Sequence, residues 1–152
     1  YRCSGVPGRN EGSGKGDGKI SWPVRVFMVR AIGIDIIKVE RLKRALDRWG
    51  TRLERRIFTS KEIAAGQGKR KLTYLAGRFA AKEAVFKSLG TGGYWQDIQV
   101  LSEKNNKPYI VLQRKMKRIA DRKGVKKILI SLSHDNDYAI AQAVAIGEEK
   151  DQ

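Results

Sequence analysis

The clearest apolar pattern lies in the middle of the chain. Leu72, Ala76, Phe79 and Phe86 follow one another at intervals of four, three and seven residues, as on one face of an α-helix. Several alanines in the same stretch raise its helix propensity, and Gly90 follows as a C-terminal stop. The pattern predicts a long central helix that ends at Gly90.

One acidic residue interrupts that apolar face. At about 100° per residue, Glu83 lies about 20° from Leu72, in the middle of the stripe. A carboxylate that faces a core needs a cation, a proton or a dense set of hydrogen bonds. Lys87, one turn later, can form an ordinary helix ion pair with it, or the helix can be partly exposed. The remaining interpretation is a divalent-metal ligand beside a phosphate site.

Shorter apolar runs on both sides of this helix predict strands. Turn residues separate them, including Asn105–Pro108 and the SHDND segment 133–137. Together with the central helix they predict an α+β fold, in which the strands cover residues 29–35, 98–101, 108–112, 128–133 and 138–146.

A basic helix is predicted directly after the first strand, from Lys38 to about Trp49. Its apolar stripe consists of Val39, Leu42, Leu46 and Trp49. Between positions 38 and 56 there are eight basic and three acidic residues. This surface is either a solubilising face or a dock for an acidic partner.

Two shorter helices complete the pattern. Thr59 or Ser60 can cap one that ends at Gly66, and residues 113–122 form a second, basic one that ends at Gly124. The basic run Lys69–Lys71 precedes the central helix, where side chains and helix dipole both favour anions.

Two further polar residues allow more than one role. Asp35 falls near the end of the first strand, where it can cap the following helix or take part in chemistry. His134, the only histidine, lies at the mouth of the last hairpin, and by itself it favours a structural role over an acid, base or ligand.

Composition bounds these hypotheses. The chain has 152 residues, a hydrophobic fraction of 41% and a net charge of +16, which suit one globular domain with an anionic partner. The single cysteine and the lack of a membrane-span or signal-peptide pattern predict a cytoplasmic protein. We expect a flexible arm over residues 1–27, with Met28 as the native start, one domain over 28–147 and a frayed tail at 148–152.

Five motifs in a fixed order resemble the holo-[acyl-carrier-protein] synthases, a family of 4′-phosphopantetheinyl transferases. The resemblance spans about Met28 to Ile146 and rests on GID at 33–35, LAGRFAAKEAVFKSLGTG at 75–92, DIQV at 97–100, NKP at 106–108 and SLSH at 131–134. The family usually has glycine where this chain has Asn106, a residue that tolerates a left-handed turn. The resemblance implies a mostly antiparallel sheet packed on the central helix and an assembly into trimers.

The resemblance also implies a reaction. The enzyme would transfer 4′-phosphopantetheine from coenzyme A to a serine of apo acyl carrier protein, for fatty acid biosynthesis, and release adenosine 3′,5′-bisphosphate. Asp35 and Glu83 match the residues that hold Mg²⁺ in this family, and Mg²⁺ prefers few carboxylates plus phosphates and water. Lys87 can reach the same phosphates and stabilise the transition state. For the serine proton, the metal site is favoured over His134.

The remaining site residues also follow from the resemblance. Coenzyme A would contact Gly92, whose backbone a ligand can approach closely, together with four basic residues: Lys69, Arg70, Arg78 and His134. Alternatives stay open, because Arg78 can form an ion pair at the core edge and Lys69–Lys71 can be a solvated helix entry. The acidic carrier would dock on the first helix through Arg41, Arg44 and Arg48.

Two other functions compete with the transferase. A non-catalytic nucleic-acid-binding module would explain the charge, but no such fold signature or basic–aromatic ladder is present. A structural subunit that has kept the fold without activity is the third possibility. We expect a carrier protein and coenzyme A as partners, and neither nucleic acid nor membrane.

Overall fold

The computed structural model describes residues 26–68 and 70–148. It contains helices and antiparallel strands, as the sequence predicts. In chain order they are β1 (Phe27–Lys38), α1 (Val39–Ile57), α2 (Ser60–Ala65), α3 (Lys71–Leu89), a 3₁₀ turn (Trp95–Asp97), β2 (Ile98–Ser102), β3 (Pro108–Leu112), α4 (Arg114–Arg122), β4 (Val125–His134) and β5 (Tyr138–Glu148).

Five strands form two antiparallel sheets. The larger sheet has the order β1-β5-β4, and β2 pairs with β3 in a separate two-stranded sheet. All five strands were predicted, although β1 and β4 begin earlier than expected. The register of β5 explains its composition, because every second residue faces α3 and is a fully buried alanine: Ala139, Ala141, Ala143 and Ala145.

The small side chains of β5 let α3 lie close against the larger sheet. Most of α3 is buried, on nearly all sides. The predicted stop is confirmed, because Gly90 adopts a left-handed conformation with φ of 59° at the helix C-terminus. Trp95 stacks on Phe79 and meets Phe86 edge-on, so the helix is also covered on the side away from the sheet.

The first helix is longer than predicted and is interrupted. Gly50 has φ of 55° and ψ of −145°, which breaks α1 between a basic first part and a second part that reaches Ile57. The prediction that Trp49 belongs to the apolar stripe is wrong, because its side chain is 57% exposed and contacts the guanidinium of Arg48. Trp49 is the last residue before the interruption, and its side chain faces solvent, whereas Leu46 before it and Leu53 after it pack against the core.

The short helices follow their predicted caps. Thr59 caps α2 in a reciprocal arrangement with Glu62. Asp97 stabilises the start of α4 from outside, because its carboxylate accepts a hydrogen bond from the amide of Lys115 at 3.1 Å.

The predicted domain boundaries fall close to the ends of the described strands. β1 already includes Phe27 and β5 continues to Glu148, one residue beyond each predicted limit. Residues 1–25 of the expected arm and 149–152 of the expected tail lie outside the described residues. No helix in the described part of the chain is long and apolar enough to cross a membrane.

Gly33 sets the separation between β1 and α3. A Cβ atom at this position would overlap the carbonyl oxygen of Ala84 and would lie 2.7 Å from the amide nitrogen of Ser88. Both are backbone atoms of α3, so relief requires the whole helix to move. The glycine therefore allows side chains on this part of α3 to reach residues of β1.

Gly33→Ala is expected to lower the free energy of unfolding by about 1–3 kcal/mol, because it overpacks this contact. The matched control is Gly77→Ala, where a Cβ atom meets nothing within 4 Å. In a helix interior that change is neutral or stabilises by up to about 1 kcal/mol. Urea denaturation of both variants measures the difference, and equal stabilities would show that β1 and α3 are not in tight contact.

Candidate active site

Asp35 lies in the middle of β1, on the face that points toward α3. It pairs with Ala141 of β5, which belongs to the buried row of alanines. The alternative role as a helix cap is wrong, because the strand continues to Lys38 and α1 begins at Val39. The small alanine opposite leaves space beside a carboxylate whose side chain is only 15% exposed.

Glu83 and Lys87 project from α3 toward this carboxylate. The Nζ atom of Lys87 donates to Oδ1 of Asp35 at 2.8 Å and to the carbonyl oxygen of Ile34 at 2.9 Å. Desolvation raises the pKa of Glu83, and the nearby negative charge of Asp35 raises it further, while Lys87 opposes the shift. The structure therefore brings together the three residues that the sequence named for metal binding and catalysis.

The predicted alternatives for Glu83 are partly correct. Its side chain is half-buried, so it lies at the edge of the core and does not face the core interior. Lys87 forms its ion pair with Asp35, whereas no ion pair between Lys87 and Glu83 occurs among the described residues. Within the described part of the chain, Glu83 thus lies beside another carboxylate without an ion pair of its own, which is the environment that a divalent ion would relieve.

The residue before Glu83 in the sequence, Lys82, forms a fully buried ion pair with Glu62. Lys82 and Glu62 are both 0% exposed, and Nζ of Lys82 lies 2.9 Å from Oε2 of Glu62. The same ammonium donates to the carbonyl oxygens of Ile57 and Trp95, at 2.7 and 3.0 Å. Burial lowers the pKa of Lys82, and the carboxylate of Glu62 opposes this shift. Sequence reasoning missed this pair, because its members lie 20 residues apart on different helices.

A second group of predicted residues lines a cleft of about 300 Å³ between the N-terminal half of α3, the β2–β3 turn and the end of β4. Arg70, Arg78 and His134 all lie in it, as predicted for a nucleotide site. Asn106 and Pro108 contribute from the turn. The cleft thus gathers three residues able to carry positive charge, two from the start of α3 and one from the end of β4.

Arg78 is the most enclosed residue of this cleft. It donates to Oγ of Ser102 at 2.7 Å, and its guanidinium lies 4.0 Å from the ring centre of Tyr74. Its Nε atom is buried and has no hydrogen-bond partner. The alternative of a core-edge ion pair finds no support, because no carboxylate pairs with Arg78 in the described part of the chain. An unsatisfied donor at a basic cleft suits an anionic or nucleotide ligand.

The cleft lies on the same face of the sheet as Asp35. Leu132, which lines the cleft, pairs with Ala141 on β5, and Ala141 pairs with Asp35 on its other side. Leu132 and Asp35 therefore share one row of the sheet, two strand spacings or about 10 Å apart. A nucleotide in the cleft can extend its pyrophosphate toward the two carboxylates.

Asn106 confirms the turn predicted from the NNKP sequence. Its φ is 64°, in the left-handed region that glycine favours and asparagine tolerates. Tyr74 was not predicted, and its signal was weak, since an aromatic residue near a helix start usually belongs to the core. Here its ring contacts Arg78, and it fills the space beside Gly66, where a Cβ atom would lie 2.6 Å from the ring.

The other predicted site residues lie elsewhere. Gly92 is in the exposed segment after α3, open to solvent, and does not line the cleft. Lys69 is outside the described residues. On α1, Arg44 pairs with Glu40 at 3.2 Å, and the side chains of the three predicted docking residues are exposed: Arg41, Arg44 and Arg48.

The family model of the 4′-phosphopantetheinyl transferase superfamily matches residues 31–143 of this chain. The chain belongs to this superfamily. The holo-[acyl-carrier-protein] synthase of Thermoanaerobacter sp. (strain X514) is 47% identical over 123 residues, which cover 78% of this chain and 88% of the relative. These findings confirm the resemblance that the five motifs carried.

Solved structures of phosphopantetheinyl transferases agree with the fold. The holo-ACP synthase of Plasmodium yoelii superposes with a TM-score of 0.73 at 30% identity, covering 82% of this chain and 99% of that one. The Helicobacter pylori enzyme, solved in complex with coenzyme A, gives a TM-score of 0.67 at 32% identity and covers 75% of this chain and 98% of its own. The chain is a phosphopantetheinyl transferase of the holo-[acyl-carrier-protein] synthase type, with the predicted α+β fold.

Proposed function

We propose that the protein transfers 4′-phosphopantetheine from coenzyme A to a serine of apo acyl carrier protein in the cytoplasm, with Mg²⁺ held by Asp35 and Glu83. The observation that carries this proposal is the meeting of two carboxylates from β1 and α3, with Lys87 beside them. The released product would be adenosine 3′,5′-bisphosphate, and the modified carrier would serve fatty acid biosynthesis.

The residues present fit a magnesium ion that is completed by substrate. No group of three or more potential ligands from His, Cys, Asp and Glu occurs among the described residues. Mg²⁺ commonly binds through one or two carboxylates and takes its other ligands from water and phosphates. Burial and then the negative charge of Asp35 raise the pKa of Glu83, so a site with these two carboxylates would accommodate a further positive charge. When bound, the ion would offset charge on the pyrophosphate oxygens during transfer.

The chain's own side chains would orient the substrate. Arg78, Arg70 and His134 would hold the nucleotide in the cleft, and the unpartnered Nε of Arg78 is a donor available to it. Coenzyme A is the ligand in the Helicobacter pylori neighbour, which supports this assignment. Lys87 would contact the pyrophosphate beside the two carboxylates. His134 lies with the nucleotide residues, which favours the carboxylate site as the acceptor of the serine proton.

A direct test is incubation with coenzyme A, Mg²⁺ and an apo acyl carrier protein, followed by intact-mass analysis of the carrier. The expected result is a mass increase of one phosphopantetheine group that disappears with a chelator and with a carrier lacking the acceptor serine. Failure to modify any apo carrier, together with tight salt-sensitive binding of nucleic acid, would instead favour the nucleic-acid-binding module.

We also propose that the first part of α1 binds the carrier. Acyl carrier proteins are acidic, and the three exposed arginines recur at intervals of three and four residues along one face. Trp49 extends this surface with an exposed aromatic side chain. Charges of this kind speed and orient the encounter, and their effect weakens with salt.

Reversal of Arg41 and Arg44 to glutamate is expected to raise the KM for the carrier about tenfold or more at low salt, because attraction becomes repulsion. The affinity for coenzyme A should stay within about twofold. The matched control reverses Arg118 and Arg122 on α4, which changes the net charge equally on exposed positions of another helix. If both double variants raise the KM by the same factor, only overall charge matters and α1 is not the dock.

A trimer is the assembly that we propose. Within the described part of the chain, Ile32, Ile34 and Ile36 of β1 are 55–60% exposed on the face of the larger sheet away from α3. Exposed apolar surface of this extent is typical of interfaces. Light scattering after size exclusion should give three times the chain mass, and Ile36→Lys should reduce it, while a monomeric wild type would exclude the trimer.

A further inference from the structure

Lys87 is held in an unusual way for an exposed lysine. Both oxygens that its Nζ atom contacts belong to β1: Oδ1 of Asp35 at 2.8 Å and the carbonyl of Ile34 at 2.9 Å. The side chain crosses from α3 to the neighbouring element although about half of its surface is exposed. It therefore forms a bridge between helix and strand in addition to lying near the substrate.

The carboxylate that Lys87 contacts is also one of the two that we propose to hold the metal. Mg²⁺ binds carboxylate oxygens at about 2.0–2.1 Å. An ammonium that remained 2.8 Å from Oδ1 would then lie close to a divalent cation on the same carboxylate. The two cations repel strongly at such separations in a partly buried site. Lysine and metal thus compete for Asp35.

We propose that Lys87 is the counter-ion of the metal-free site and moves from Asp35 to the coenzyme A pyrophosphate when metal and substrate bind. This inference rests on the proposed function of Asp35 and Glu83 as metal ligands. In the metal-free protein, Lys87 forms an ion pair with the enclosed Asp35, and Glu83 has no ion pair with Lys87. A pyrophosphate at the site offers the ammonium a new partner and so releases Asp35 for the metal.

The exchange has a thermodynamic consequence. Metal alone has to displace Lys87 without offering it another anion, so it binds weakly. Coenzyme A removes this cost, so Mg²⁺ and coenzyme A strengthen each other's binding by the same factor. Coupling between two sites commonly amounts to about 5- to 150-fold in affinity.

The test measures binding, without turnover, by isothermal titration of Mg²⁺ into the full chain, with and without coenzyme A and in the absence of carrier. In the wild type, coenzyme A should tighten Mg²⁺ binding about tenfold or more. Lys87→Met keeps the length of the side chain and removes the charge. It should bind Mg²⁺ alone about tenfold more tightly than the wild type and show coupling to coenzyme A that is weaker than in the wild type, because only the part that arises from the phosphate ligands remains.

The control is Lys61→Met, which removes one positive charge from an exposed position on α2 and should leave both affinities unchanged. Equal Mg²⁺ affinities of wild type and Lys87→Met, with equal coupling, would overturn the counter-ion role while leaving the metal site intact. If neither the wild type nor Lys87→Met binds Mg²⁺, even with coenzyme A present, the proposed metal site is wrong and this inference fails with it. If Lys87→Met does not fold, uncoupled binding of Mg²⁺ and coenzyme A to the wild type would still contradict the exchange.

Discussion

Replacement of Glu83 by glutamine is expected to lower the rate of phosphopantetheine transfer at least about 100-fold, or about 3 kcal/mol. The amide keeps the size of the side chain and removes the charge that would hold the metal. Initial rates with saturating coenzyme A and carrier measure the loss. Asp121→Asn, which makes the same change at an exposed position of α4, should keep the wild-type rate.

For the same variant we also predict the stability, because a stability measurement separates loss of function from loss of fold. The raised pKa of Glu83 means that the folded protein binds this proton more tightly than the unfolded chain does. Ionised Glu83 therefore destabilises the metal-free protein, and its free energy of unfolding falls as pH rises through the raised pKa. Glu83→Gln removes this dependence, so it should be at least as stable as wild type at neutral pH.

Two results would contradict the assignment. A near-normal transfer rate would show that Glu83 is not needed for the metal. A loss of stability at neutral pH in the metal-free variant would show that its carboxylate is a structural group that the fold requires. Addition of Mg²⁺ with coenzyme A should raise the melting temperature of the wild type more than that of Glu83→Gln, which gains only from coenzyme A binding in the cleft.

Local patterns predicted most of the fold because each element carries its own signal. The caps at Thr59 and Gly90 are local, since each depends on one residue and its nearest backbone groups. The turn at Asn106 likewise follows from one residue's tolerance of positive φ. The extent of α1 was missed, because the prediction ends this helix near Trp49, whereas a second helical part follows Gly50 and reaches Ile57.

The site was predicted by resemblance more than by physics. Apolar periodicity identified Glu83 as unusual, but it placed the side chain inside the core, whereas α3 is buried on most sides and offers no single apolar face. The meeting of Asp35 with Lys87 depends on the close approach at Gly33, a contact between positions more than fifty residues apart. Such pairings follow from the packing of a helix on a sheet, which the local pattern of either element does not contain.

The buried pair formed by Lys82 and Glu62 was also invisible to local sequence patterns, because it joins two different helices. Its disruption has the largest expected effect on stability. All three hydrogens of the lysine ammonium have acceptors, namely Glu62 and the carbonyl oxygens of Ile57 and Trp95. Glu62 in turn accepts from the amides of Thr59 and Val100, at 2.8 and 3.1 Å. One ion pair therefore joins α1, α2, α3, β2 and the 3₁₀ turn immediately beside Glu83.

Lys82→Met is expected to lower the free energy of unfolding by about 3–5 kcal/mol, because it leaves the carboxylate of Glu62 buried without a counter-charge. Urea denaturation measures the loss, and Lys61→Met on the exposed side of α2 should change stability by less than about 0.5 kcal/mol. Adding Glu62→Gln to Lys82→Met should recover part of the loss, since a neutral amide needs no cation. A cost below about 1 kcal/mol for Lys82→Met would mean that the two charges do not depend on each other.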